Sequence, residues 1–115
     1  MVEENFDFKI TTNKVVTVVT FQGRITKESV ERLEKCRGDI GPMNSKLFII
    51  YFKDVQCVEY SAYRELTLIQ QEMRKKDSLL CIVGLNSELK ALLTTKAIVR
   101  TSELKKTLEE AIRAA

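Results

Sequence analysis

Leu47-Phe48-Ile49-Ile50-Tyr51-Phe52 decides how the rest of the chain is read: six apolar residues in a row, preceded by Lys46 and followed by Lys53 and Asp54. The run is short, aliphatic and aromatic, which fits a strand covered on both faces at the centre of a sheet. It also falls far short of the stretch of about 20 apolar residues that crosses a bilayer. The remaining elements have to supply the cover.

Upstream, Phe6, Phe8 and Ile10 alternate as in a half-exposed strand, and Thr12-Asn13-Lys14 offers a tight turn. Val15 to Gln22, dense in Val and Thr, forms the returning strand and closes at Gly23, so the two read as an antiparallel hairpin. Thr26 is a good helix cap, and Val30, Leu33 and Cys36 follow at helical spacing until Gly38, Gly41 and Pro42 end the helix.

Downstream, Ala62, Leu66, Ile69 and Met73 recur at steps of four and three residues, which predicts a long amphipathic helix from about Ala62 to Lys75. Ser78 to Val83 is another apolar strand stopped at Gly84, and Asn86-Ser87 caps a short helix carrying Leu89, Leu92 and Leu93. A brief strand is expected over Ala97 to Arg100. A last helix, capped at Thr101 or Ser102, is expected to bury Leu104, Leu108, Ala111 and Ile112, with Arg113 near its C-terminal end. The order is β-β-α-β-α-β-α-β-α: an α/β fold with a mixed sheet, an N-terminal hairpin, about four helices and right-handed crossovers. Residues 1–115 are read as one domain, since a chain of this size buries one modest core.

Composition narrows the chemistry. Nineteen basic residues interspersed with sixteen acidic ones leave a formal charge of +3, which supplies no basic stripe for DNA or RNA. Histidine is absent, and with it the commonest general base and metal ligand. Cys36, Cys57 and Cys81 are odd in number and too far apart for a zinc or redox pair, and each reads as a small hydrophobe. Gly38-Asp39-Ile40-Gly41 lacks the Lys-Ser/Thr ending of a nucleotide loop, so neither cofactor nor catalysis is indicated. The acidic start, Met1 to Asp7, has no basic-then-apolar pattern of a secretory signal, and a cytoplasmic protein is expected.

The junction after the central strand carries a resemblance. Leu47 to Val55 leads through Gln56-Cys57-Val58 into Glu59-Tyr60-Ser61-Ala62 and then into the long helix. This resembles the STAS domain family, in which a hydrophobic strand and a short loop precede an Asp-Ser/Thr-Ser-Gly motif at the start of a long helix. The Phe21-Gln22-Gly23 strand end, the Leu79 to Leu85 strand and the closing segment from Thr101 to Ala111 agree with it. Within that family the chain resembles the anti-sigma factor antagonists.

The resemblance implies a regulatory protein-binding module, not an enzyme, whose partner is an anti-sigma factor doubling as a serine kinase. Ser61 is the implied phosphorylation site, and Glu59, Tyr60, Ser61, Ala62 and Tyr63 the implied partner-binding surface. A degenerate module serving as a constitutive scaffold is the alternative, because the acid, the first serine and the glycine of the motif are replaced by Glu59, Tyr60 and Ala62. Physically, Ser61 at a helix start is placed to cap a free backbone N–H, and the helix dipole there tolerates a phosphate. Glu59 keeps the family's charge one methylene further out. From there it is expected either to orient the Ser61 hydroxyl or to act as a capping or solvated acid.

Overall fold

In the computed structural model, which describes residues 5–114, nine elements follow in the expected order. They are β1 (Asp7–Thr12), β2 (Val16–Gln22), α1 (Val30–Ile40), β3 (Leu47–Asp54), α2 (Tyr63–Arg74), β4 (Leu79–Val83), α3 (Ser87–Thr95), β5 (Leu104–Lys105) and α4 (Leu108–Arg113). The sheet runs β1-β2-β3-β4-β5, with β1 antiparallel to β2 and the other neighbours parallel.

Because each new parallel strand is added on the same side of the last, right-handed crossovers must carry every connecting helix over the same face. Leu33, Cys36 and Ile40 of α1, Leu66, Ile69 and Met73 of α2, and Leu89 and Leu93 of α3 accordingly share one core with Val19, Phe21, Phe48, Ile50, Phe52 and Ile82. Only α4, after the last strand, is free to fold across the other face. There Ala111 and Leu108 meet Leu47, Ile49, Cys81 and Val83. The central strand is buried on both sides, as its unbroken apolar run predicts: Leu47, Phe48, Ile49 and Ile50 are all inaccessible.

Helix pairs are fastened by charge as well as by apolar contact. Arg37 of α1 donates from Nε to Glu65 of α2 at 2.6 Å, which holds the Arg37 guanidinium further above its ordinary pKa. Lys76 Nζ donates to the Gly41 carbonyl at 2.6 Å, closing the C-terminus of α1.

The C-terminal third differs from expectation. Ala97 to Arg100 is not a strand: Ala97 has φ 58°, and the Ile98 and Val99 amides both turn back onto the Leu93 carbonyl as the end of α3. Ile98 and Val99 are buried, but under the helical layer. The last strand is instead Leu104–Lys105, paired with Ile82 and Val83. A bidentate Arg74–Glu103 pair, 2.7 and 3.0 Å, sets its position by anchoring the turn Thr101–Glu103 to the end of α2. The final helix therefore starts later, at Leu108, with Thr107 as its cap accepting from the Glu110 amide at 3.1 Å. Leu104 lies outside that helix, and Ile112 is 51% exposed, not buried.

Candidate functional site

The site lies where β2 and β3 end side by side and their connections leave the sheet. Phe21 and Phe52 face each other in register there, and Phe6, Phe21 and Phe52 stack edge-to-face at 5.4 Å spacings beneath the loops. One residue later the register slips, so that Gln22 pairs with Asp54, and β3 bends away with one extra residue. Gly23 makes the matching turn in β2 with φ 88°, and any Cβ there would stand 2.3 Å from the Asn5 carbonyl oxygen. Both loops of the site leave from the carboxyl ends of the parallel strands β2 and β3.

The two loops are laced together. Ile25 and Val58 form an isolated parallel bridge, with the Ile25 amide on the Cys57 carbonyl at 3.2 Å and the Glu59 amide on the Ile25 carbonyl at 2.8 Å. The Ala62 amide then donates to the Glu59 carbonyl at 3.0 Å, closing a 3-10 turn over Tyr60–Ala62 that leads into α2. Ser61 sits in the middle of this turn, exposed. Its expected place as helix cap is taken by Glu59, which is the N-cap of the turn, and by Ala62, which precedes α2.

The other four motif residues separate into surface and support. Tyr60 is 82% exposed beside Ser61, and Glu59 is exposed as well. Ala62 is fully buried, so its methyl packs inward and not toward solvent. Tyr63 is half-buried against the main core. The Glu59 carboxylate accepts from the Lys27 amide at 3.1 Å, across the gap between the loops. Lys27 begins the turn that precedes α1, and its amide is one of the donors that a helix start leaves free.

An open groove of about 920 Å³ adjoins the turn on the Glu59 side, walled by Phe6, Arg24, Glu28, Arg32, Cys57 and Glu59. Arg32 is committed elsewhere: it pairs with Asp7 and lies 4.8 Å over the Phe8 ring. Its hydrogen bond, reinforced by the Phe8 amide, holds the Asp7 carboxyl below the ordinary carboxylate range.

Cys57 is the one cysteine that departs from the sequence expectation, being half-exposed in the groove while Cys36 and Cys81 are buried. Burial pushes the Cys36 thiol up to about 12, and Cys81 is raised by the same cause. At pH 8 a water-soluble maleimide is therefore expected to label Cys57 first, with Cys36 and Cys81 labelled only on unfolding, as peptide mapping would show. The raised Cys36 pKa also favours the fold below the ordinary thiol range. That contribution is lost as pH climbs toward 12, because the unfolded chain ionises first.

Three comparisons bear on the chain. A model of the STAS domain family matches residues 7–111. No curated protein matches it in sequence. Among solved structures it is similar to an anti-sigma factor antagonist from Mycobacterium paratuberculosis, with TM-score 0.80 and 17% identity over 96% of this chain and 93% of that one. The Bacillus cell fate determinant SpoIIAA in its phosphorylated form superposes with TM-score 0.70 at 13% identity, over 94% and 98% of the two chains. The STAS domain of a SulP transporter from Vibrio cholerae gives TM-score 0.70 at 17% identity, over 90% and 82%. Among the described residues, no helix is long and apolar enough to cross a membrane.

Proposed function

The chain belongs to the STAS domain family, and from that premise we propose that it is a cytoplasmic, non-enzymatic anti-sigma factor antagonist whose binding to an anti-sigma kinase is switched by phosphorylation of Ser61. The observation that carries the reading is the position of Ser61: exposed, in a turn that leads into α2, next to the most exposed aromatic of the site. A kinase needs a hydroxyl it can reach and align, and a partner surface needs a rigid aromatic anchor; Ser61 and Tyr60 supply one each. That the fold of SpoIIAA in its phosphorylated form superposes on this chain supports a switch that works without refolding.

The electrostatics favour an effect on docking over one on folding. A phosphate adds roughly −1.5 to −2 charge at pH 7, and the first turn of a helix accommodates an anion. A partner surface fitted to a neutral hydroxyl meets repulsion and bulk instead.

A constitutive scaffold is the second reading. It is favoured by the replaced motif residues, since a buried Ala62 and a Glu59 tied to Lys27 leave the serine without the family's usual neighbours. Incubation with the copurifying anti-sigma kinase and Mg-ATP, followed by intact-mass and peptide analysis, separates the two. One added phosphate on Ser61 is expected. An unmodified protein that still binds the kinase tightly would leave the scaffold reading standing.

A further inference from the structure

We propose that Glu59 is a positioning residue that clamps the Ser61 turn to the loop before α1 by the length of its side chain, and that its charge is not directed at the Ser61 hydroxyl. The inference deepens the reading of Ser61 as the switched residue and rests on it for its functional half only.

Glu59 fastens the two loops at two points and closes its own turn with one further bond. Its amide reaches the Ile25 carbonyl at 2.8 Å, its carbonyl receives the Ala62 amide at 3.0 Å, and its carboxylate receives the Lys27 amide at 3.1 Å. The first two bonds are made by backbone and would survive any substitution but proline. The third depends on reach. Position 59 is held beside Ile25 by the bridge, while the Lys27 amide lies two residues further along the other loop, so the side chain must span the difference. Shortening it by one carbon–carbon bond, about 1.5 Å, would leave a separation well beyond hydrogen-bond range. The Lys27 amide would then have only water for a partner, and the start of α1 would loosen from the Ser61 turn.

The distinction makes opposite forecasts for the two conservative substitutions. Glu59→Gln keeps the length and an acceptor oxygen but loses the charge, whereas Glu59→Asp keeps the charge and loses the length. A clamp tolerates Gln and fails with Asp. A carboxylate that orients or polarises the serine hydroxyl does the reverse.

Amide hydrogen exchange followed by NMR on the whole chain tests this without any partner. In Glu59→Gln the Lys27 amide is expected to exchange within about threefold of its wild-type rate. In Glu59→Asp and Glu59→Ala it is expected to exchange at least about tenfold faster, with the Ile49 amide unchanged in all three. Equal protection of Lys27 in Glu59→Asp and wild type would overturn the clamp. The same variants, given the copurifying kinase and Mg-ATP, are expected to be labelled on Ser61 at near wild-type rate for Gln and more than about tenfold slower for Asp. Faster labelling of Asp than of Gln would overturn the proposal. If the wild-type chain takes no phosphate, the switch reading fails, while the exchange rates still decide the clamp.

Discussion

Ile49→Asp is expected to yield a protein that does not fold. Ile49 is fully inaccessible at the middle of β3, paired with Val18 on one side and Cys81 on the other. Its side chain points to the face covered by α4, where it packs with Leu47, Val83 and Ala111. A carboxylate placed there must stay charged without a partner or take up a proton, and either route costs several kcal/mol before the lost apolar contact is counted. Domains of this size have only about 5–15 kcal/mol in total. Loss of the cooperative thermal transition by circular dichroism is the expected result, whereas Ile49→Val should melt cooperatively at a cost of about 0.5–1.5 kcal/mol. A cooperatively melting Ile49→Asp protein would mean that α4 does not seal this face.

Ser61→Asp is expected to weaken binding to the anti-sigma kinase by at least about tenfold, equivalent to about 1.4 kcal/mol, while Ser61→Ala binds as wild type does. Ser61 is exposed, and no core residue depends on it, so both variants should melt within about 2 °C of the parent. The added carboxylate sits near the positive end of the α2 dipole, which offsets any penalty within the fold. The same charge on a docking surface stands beside Tyr60, where a partner would have to desolvate it. Titration calorimetry with the purified kinase measures both variants. Equal affinity of Ser61→Asp and wild type would remove Ser61 from the interface.

Tyr60 and Glu59 would then be judged separately, because they occupy different positions relative to the turn. Tyr60 has 82% of its surface free, which suits an anchor seated in a partner's pocket. Glu59 looks inward along the surface, toward Lys27. Tyr60 makes no such tie, while Glu59, though exposed, already holds the Lys27 amide.

Much of this protein is written in local patterns. An unbroken apolar run from Leu47 to Phe52 reads as a strand covered twice, and the four-and-three spacing of Ala62, Leu66, Ile69 and Met73 as one buried side of a helix; both hold in the structure. The side taken by α1, α2 and α3 follows from the handedness of crossovers once the structure supplies the strand order. The segment after α3 is different. Ala97 to Arg100 has strand-like composition, yet the chain turns at Ala97, and the strand falls at Leu104 because Glu103 meets Arg74 from a helix 29 residues earlier. No window of sequence contains both partners. The site divides in the same way. The exposed turn at Ser61 could be located from the motif around it, but the partner of Glu59 could not, since Lys27 lies 32 residues away and offers only a backbone amide, a group that every residue but proline carries. Local pattern determines which residues form elements and which face is apolar; which loop donor meets which side chain is decided only when the sheet brings the ends of β2 and β3 together.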